Sequence, residues 1–335
     1  MKHSNISIFI PHNGCPCKCS FCNQSKITGQ NTQPSFKEVE ETLSSAALYI
    51  NDKEKLKNTE IAFFGGSFTA IDYDYMVGLL KIAKEAVIKF GFKGIRCSTR
   101  PDKIDKAVLT VLKEYGVTAI ELGAQSMCDE VLLSNNRGHS SESVRKASRL
   151  IKEFGFELGL QMMTDLYTSS KEKDIYTAKE LIKLKPDTVR IYPTVTLENT
   201  ELADLYKENK YKPCSLEDTV ELCSELLTMF EKENIKVIRL GLHASEEVSS
   251  KRIAGAYHPA LREKCESYNI YINCLQLLKD KAKGDYVFEV NPKLISKFIG
   301  QKKENILKLK KEGFNIKVTE TNSTHAYKLI ERIGE

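Results

Sequence analysis

The sequence predicts an α/β protein in which a large parallel sheet is wrapped by helices and followed by a small α+β appendage. Two observations carry that expectation. Short apolar runs alternate strictly with amphipathic stretches of about ten to twenty residues, the pattern of strands joined by crossover helices. A length of 335 residues with 41% hydrophobic content suits one core of roughly 200–280 residues plus a smaller unit.

The elements follow in order. Strands are expected at 5–10 (NISIFI), 60–64 (EIAFF), 94–98 (GIRCS), 117–123 (VTAIELG), 157–162 (ELGLQM), 188–192 (TVRIY) and 236–241 (KVIRLG). Helices are expected at 36–50, 74–90, 103–115, 140–154, 171–183 and 216–233; Val77, Leu80, Ala83, Ala86 and Val87 show the helical spacing in the second of them. A closed eight-unit barrel and an open doubly wound sheet both satisfy this pattern. In either, functional residues gather at the C-terminal ends of the strands.

Charge divides the chain unevenly. Residues 279–335 hold 13 Lys or Arg against 8 Asp or Glu, so residues 1–278, with 37 of each sign, are neutral and the whole net charge of +5 lies in the tail. A basic tail on a neutral body points to a polyanion met by the tail, or to a solvated lysine-rich helix face. No apolar run approaches the ~18 residues that span a bilayer, and MKHSNISIFI has no signal-peptide centre, so a cytoplasmic protein with no membrane partner is expected. Ten cysteines in such a chain stay reduced. Cys97, Cys128, Cys214, Cys223, Cys265 and Cys274 are scattered and are expected as buried thiols.

The other four crowd into PHNGCPCKCSFCNQ, residues 11–24, directly behind the first strand. Cys15, Cys19 and Cys22 read as C-x3-C-x2-C, and Cys17, Cys19 and Cys22 as C-x-C-x2-C. A structural zinc site wants four ligands in two separated pairs, and no second C-x2-C or H-x3-H pair occurs. Three close thiolates suit an iron–sulfur cluster with one iron left open to a non-protein ligand.

A C-x3-C-x2-C loop after the first strand, with an aromatic at Phe21, resembles the radical S-adenosylmethionine (SAM) superfamily. FFGGSF (63–68), STRPD (98–102), ELGAQS (121–126), NRGH (136–139) and VRIYPT (189–194) follow in the order of its Elp3-like branch, whose best-known members modify the wobble uridine of tRNA. The resemblance covers residues 5–270. It implies a partial (β/α)6-type barrel and an enzyme that reductively cleaves SAM at a [4Fe–4S] cluster to a 5′-deoxyadenosyl radical. Cys15, Cys19 and Cys22 are then the cluster ligands. SAM contacts are expected from Gly65, Gly66, Ser67, Ser98, Gln125, Ser126, Arg137 and Gln161, with the Arg137 fork on the SAM carboxylate. An electron donor such as flavodoxin or ferredoxin is implied. Arg190 and Tyr192 suit a substrate-facing role and a structural one equally.

Departures from the branch are as informative. Ser98 stands where many relatives carry glutamate, and MMTDLYTS (162–169) replaces a Met-Pro-Gly-Leu-Pro loop, with Asp165 offering polar contacts of its own. The chain ends at 335 without room for the acetyltransferase domain of full-length Elp3 enzymes, so their acetyl-CoA chemistry is not expected to transfer.

Three regions are expected: a core barrel at 1–240, an extension closing it at 241–281, and a basic domain at 282–335. Strand 286–290, the helical stretch 292–313 and strand 315–319, with a short helix around Tyr327–Ile333, resemble a small K-homology (KH) RNA-binding fold. IGQKKENI (299–306) stands where that fold carries its I-G-x-x-G loop, so Gly300, Lys302 and Lys303 are the RNA-binding candidates, with Lys303 in place of the second glycine. The expected substrate is therefore a nucleotide in tRNA or rRNA. A small molecule such as a tetrapyrrole, or a peptide, with the tail as a lid, is the alternative.

Overall fold

The computed structural model describes residues 4–11, 19–22, 32–242, 246–321 and 326–332. Seven strands build one parallel sheet: β1 (Ser4–Ile10), β2 (Thr59–Gly65), β3 (Gly94–Thr99), β4 (Val117–Gln125), β5 (Glu157–Thr164), β6 (Thr188–Pro193) and, beyond a two-residue strand β7 (Thr196–Leu197), β8 (Lys236–Leu240). Their spatial order is their sequence order. With every crossover right-handed, such an order puts all connecting helices on one face and curls the sheet around the other. The open parallel barrel expected from the sequence is present.

Sequence chemistry sets the helix starts. Helix α1 (Phe36–Ile50) opens on a capping box in which the Ser35 hydroxyl accepts from the Glu38 N–H and the Glu38 carboxylate accepts from the Ser35 N–H. After the single turn α2 (Lys53–Leu56), α3 (Tyr73–Phe90), α4 (Lys106–Glu114), α6 (Ser141–Glu153) and α7 (Lys171–Lys183) are capped by Asp72, Asp105, Ser140 and Ser170; the short α5 (Asp129–Ser134) follows β4. Their apolar stripes, among them Leu79, Leu80, Leu109, Leu112, Val144, Ile151 and Leu181, are fully buried. So is the matching side of the sheet, Ile120, Leu122, Leu158, Leu160, Val189 and Ile191. At about 25 cal/mol per Å² of apolar surface, this helix-covered face is the main stabilising term of the barrel.

The chain completes this unit with α8 (Glu201–Lys207) and a two-stranded pairing of β7 with β9 (Arg252–Ala254), which follows α10 (Glu246–Lys251). Between them, α9 (Leu216–Lys232) leads into β8.

The compact units divide the chain differently from the expected boundaries. One comprises residues 1–214 and 230–257; the other takes 215–229 and 258–335. Helix α11 (Leu261–Leu278), expected as an extension of the barrel, belongs to the small unit because its Ile270, Cys274 and Leu278 pack into that unit's core with Phe288, Phe298 and Phe314. His258 accepts the Ala260 N–H on Nδ1 at the start of this helix.

The small unit has β10 (Gly284–Val290) at the centre of a three-stranded sheet, with α12 (Ile295–Ile299) and α13 (Glu304–Lys311) leading to β11 (Phe314–Glu320). β11 runs parallel to β10. The segment expected as a helix around Tyr327–Ile333 is instead β12 (Tyr327–Arg332), antiparallel to β10. Its period is two: Tyr327 and Leu329 pack on the core, while Lys328 and Ile330 are exposed, and pairing covers an otherwise bare edge of β10. Of the six scattered cysteines, Cys97, Cys223, Cys265 and Cys274 are buried as expected, but Cys128 is half-buried and Cys214 is exposed.

Candidate active site

Two polar constellations lie on the barrel. The first surrounds the described part of the cysteine loop, Cys19–Cys22. Ser20 pins that loop: its hydroxyl donates to Asn135 Oδ1 at 2.7 Å, its N–H donates to the Asn135 carbonyl, and its own carbonyl accepts from the Leu202 N–H. Asn135 is in turn held by donation to the carbonyls of Val131 and Tyr167. Cys22 N–H closes a tight turn on the Cys19 carbonyl at 3.0 Å. Cys19 and Cys22 are both partly exposed. Cys15 and Cys17 lie outside the described residues.

Arg137, 7% exposed, bridges this loop to the end of β4. Its Nη1 donates to Cys19 Sγ at 3.0 Å and its Nη2 to the Gly123 carbonyl at 2.8 Å. A Cβ at Gly123 would lie 3.0 Å from Gln125 Nε2 and 3.3 Å from Arg137 Nη2, so Gln125 and Arg137 converge on this bare backbone. Gln125 itself has φ +64°, an unusual conformation for a side chain other than glycine and a common mark of functional strain. His139 completes the group, with Nε2 against the Ala124 carbonyl at 3.2 Å. Burial, and then the neighbouring Arg137 charge, push its pKa down to about 4, so the ring is neutral near pH 7.

At the end of β2, Gly65 has φ +113°, and a Cβ there would meet the Ile10 carbonyl at 2.5 Å and the Phe9 ring. Glycine is therefore required by both backbone and space. Gly66 N–H donates to the same Ile10 carbonyl at 2.7 Å, tying the end of β2 to that of β1, from which the cysteine loop departs. Two of the expected SAM contacts have other work. The Ser67 hydroxyl bonds Thr99 Oγ1 at 2.8 Å and accepts the Arg100 N–H, while Ser126 Oγ accepts the Cys128 N–H and faces Thr177 Oγ1. Both serines are buried clamps between strand ends and helices.

The second constellation is a buried charge network on the inner side of the sheet. Glu121, 1% exposed, accepts two bonds from Arg190 at 2.6 and 2.8 Å, one from Arg96 at 3.4 Å and one from Gln161 Nε2 at 2.9 Å. Arg96 also donates to Glu60 and Glu157 at 2.9 and 2.6 Å; burial alone would lower its pKa, but Glu60, Glu121 and Glu157 together raise it. Gln161 reaches Ser98 Oγ at 3.4 Å. Removing one partner of such a network strands a buried charge, a loss of about 3–5 kcal/mol. Gln161 and Ser98 thus join Glu121 and Arg190 rather than the Arg137 group. The sequence reading missed Arg96 and Glu121, whose signal was available: Arg96 and Ser98, Glu121 and Gly123, Gln161, and Arg190 and Tyr192 occupy alternate, inward positions in otherwise apolar strands.

The loop after β5 explains a departure noted in the sequence. Asp165 takes φ +60°, the left-handed conformation that a glycine favours, and its carboxylate accepts the Cys214 N–H at 2.7 Å. Tyr211 donates to the Asp165 carbonyl at 2.8 Å. Beneath it, Asp174, 2% exposed, accepts the Asp165 N–H and the Ser169 hydroxyl, and burial pushes its pKa up to about 7.

The residues present fit an iron–sulfur cluster with SAM beside it. Three buried polar atoms around the end of β4, Gln125 Oε1, Arg137 Nε and His139 Nδ1, have no hydrogen-bond partner among the described residues, and buried orphans of this kind are rare unless a ligand satisfies them. They lie beside a cysteine sulfur that accepts from a guanidinium and a sheet end at which only glycine fits.

In the small unit Gly300 has φ +79°, and Lys302 and Lys303 follow at +51° and +64°. Lys303 therefore keeps the left-handed conformation that would favour a second glycine. The Glu304 N–H donates to the Gln301 carbonyl, closing a tight turn that presents both exposed lysines ahead of α13. Asn305 Nδ2 braces the turn from inside through Ser267 and the carbonyls of Lys297 and Phe298.

Comparison with known proteins adds four findings. The pattern of the radical SAM superfamily matches residues 9–177, and that of the radical SAM C-terminal domain matches residues 186–269. The chain is 30% identical to human Elongator complex protein 3 over 190 residues, 51% of this chain and 35% of that protein. It is 30% identical to the tRNA uridine(34) acetyltransferase of Methanocaldococcus jannaschii over 193 residues, 52% of this chain and 36% of the relative. The match thus spans about a third of these relatives' length. In fold it is similar to the Elp3 of Methanocaldococcus infernus, with a TM-score of 0.64 at 20% identity over 84% of this chain and 65% of that one.

Proposed function

The chain belongs to the radical SAM superfamily, and from that premise we propose that it is an enzyme that modifies a nucleotide in RNA, with tRNA as the first candidate. The observation that carries the RNA reading is the 30% identity to enzymes named for uridine 34 of tRNA. Their acetyltransferase activity is not part of the proposal, because the match covers only 36% of the relative's length.

Cys15, Cys19 and Cys22 hold the [4Fe–4S] cluster in this reading. When bound, the cluster and SAM supply reductive cleavage to a 5′-deoxyadenosyl radical that abstracts a substrate hydrogen. The protein's own residues orient and shield. Gly65 and Gly66 give the ligand backbone access at the end of β2, Gln125 supplies neutral hydrogen bonds, and Arg137 pairs with the SAM carboxylate while steadying Cys19. Ser67 and Ser126 hold the strand ends from which those contacts project. Gln161, Ser98 and Arg190 furnish the polar floor of the pocket through Glu121. The neutral His139 adds no charge to a site that must exclude water.

The small unit supplies the RNA contact. Gly300, Lys302 and Lys303 form an exposed basic turn ahead of a helix, a geometry that suits a phosphate backbone and supports the KH-like reading. Replacing Lys302 and Lys303 together by glutamate tests it. Filter binding of bulk tRNA at two salt concentrations should show affinity reduced at least tenfold and a salt slope shallower by about 1–2. Equal binding and equal slope would return these lysines to a solvated surface and favour the small-molecule alternative.

A further inference from the structure

On the inner side of the barrel the Arg239 guanidinium has no balancing carboxylate among the described residues. Arg239 on β8 pairs in register with Arg190 on β6, so both side chains leave the sheet on the face where Arg190 grips Glu121. Arg190 is neutralised there. Arg239 is half-buried and donates from Nε to the Gly241 carbonyl at 2.9 Å, and among the described residues no carboxylate forms an ion pair with it. Its Nη1 and Nη2, the fork that matches an oxyanion, make no hydrogen bond among the described residues. Burial lowers its pKa, the nearby Tyr192 opposes that shift, Arg190 adds to it, and Tyr257 also opposes it. Arg239 thus has two phenols and a second guanidinium as its electrostatic neighbours. It stands one residue before the end of the last strand, at the rim where parallel α/β sheets bind ligands.

We infer that the Arg239 fork, with the Tyr192 and Tyr257 hydroxyls, is a receptor for an oxyanion of the substrate. A half-buried guanidinium with no carboxylate partner among the described residues is costly to hold, and an arriving oxyanion offsets that cost. Arg190, already paired, lines the receptor without competing for the anion. In an RNA substrate the oxyanion is the phosphate adjoining the reacting nucleotide; this assignment of source rests on the RNA reading above, whereas the receptor does not.

The test is equilibrium dialysis with the anaerobic, cluster-loaded full chain, using radiolabelled uridine 5′-monophosphate and uridine as probes. Wild type should bind the monophosphate at least tenfold more tightly than uridine. Arg239→Gln should bring the two within twofold of each other, and Arg239→Lys, which keeps charge but loses the fork, should fall between. Tyr192→Phe should weaken the monophosphate alone, by threefold or more. Matching circular dichroism spectra separate these losses from misfolding. Equal binding of both probes by wild type, or an undiminished phosphate preference in Arg239→Gln, overturns the receptor. Competition by an anticodon stem–loop RNA supports phosphate of RNA as the source. Competition by succinate but not by that RNA supports the receptor and overturns the RNA reading.

Discussion

Arg137 joins two functions that the sequence kept apart. Its place after ELGAQS suggested a carboxylate partner, yet its Nη1 also donates to Cys19 Sγ at 3.0 Å. Truncation to alanine should therefore do two things. SAM binding, measured anaerobically by calorimetry, should weaken by about 2–5 kcal/mol. The cluster's midpoint potential should also shift negative, because a donated hydrogen bond and a positive charge near the sulfur both stabilise the reduced form. A variant with wild-type affinity and potential would make Arg137 a bystander. At this scale the motif residues were legible because their chemistry is local: Gly65 announces itself by pairing with Gly66 after an apolar strand. Ser67 and Ser126 show the opposite case. A serine in a motif looks like a ligand contact, and only the folded chain reveals that Thr99, Arg100, Cys128 and Thr177 already claim those hydroxyls.

The loop after β5 shows how an element survives losing the residues that shape it elsewhere. Asp165 adopts the left-handed backbone, and its carboxylate ties down Cys214. Asp174 anchors the loop from below with a pKa raised to about 7 by burial. The sign follows from linkage. The folded state holds this proton more tightly than the unfolded chain, whose carboxyl titrates near 4, so the stability that Asp174 contributes is fully present below pH 4 and is lost as pH rises through about 7. Asp174→Asn should lose that slope, leaving wild type less stable by up to a few kcal/mol at pH 8 relative to pH 4, beyond what the variant shows. Thermal melts across this range check it; parallel pH profiles would mean that Asp174 is ionised throughout. Strands and helices of the barrel were legible because period and capping agree with the tertiary fold. Residues 327–332 were not, since Tyr327 and Leu329 are half-buried against partners distant in sequence, among them Phe298 of α12 and the strand β10.

For the whole molecule, the sequence read a boundary at the end of β8, whereas compactness assigns 215–229 and 258–335 to one unit. A discontinuous unit leaves no compositional mark, because the chain enters, leaves and returns without a linker. Its basic surplus over residues 279–335 was visible in the sequence, and its turn of two left-handed lysines was not. Arg239 belongs to this scale as well: a lone arginine in KVIRLG means little until β8 is laid beside β6.

Whether this chain is a radical SAM enzyme working on RNA is read from the rate of 5′-deoxyadenosine formation with and without tRNA. The cluster-loaded protein, given SAM and dithionite under anaerobic conditions, should form 5′-deoxyadenosine slowly alone and several-fold faster with bulk tRNA, while Cys19→Ser forms none. No 5′-deoxyadenosine above the protein-free blank would contradict the enzyme assignment, and a rate unchanged by tRNA would contradict the RNA substrate.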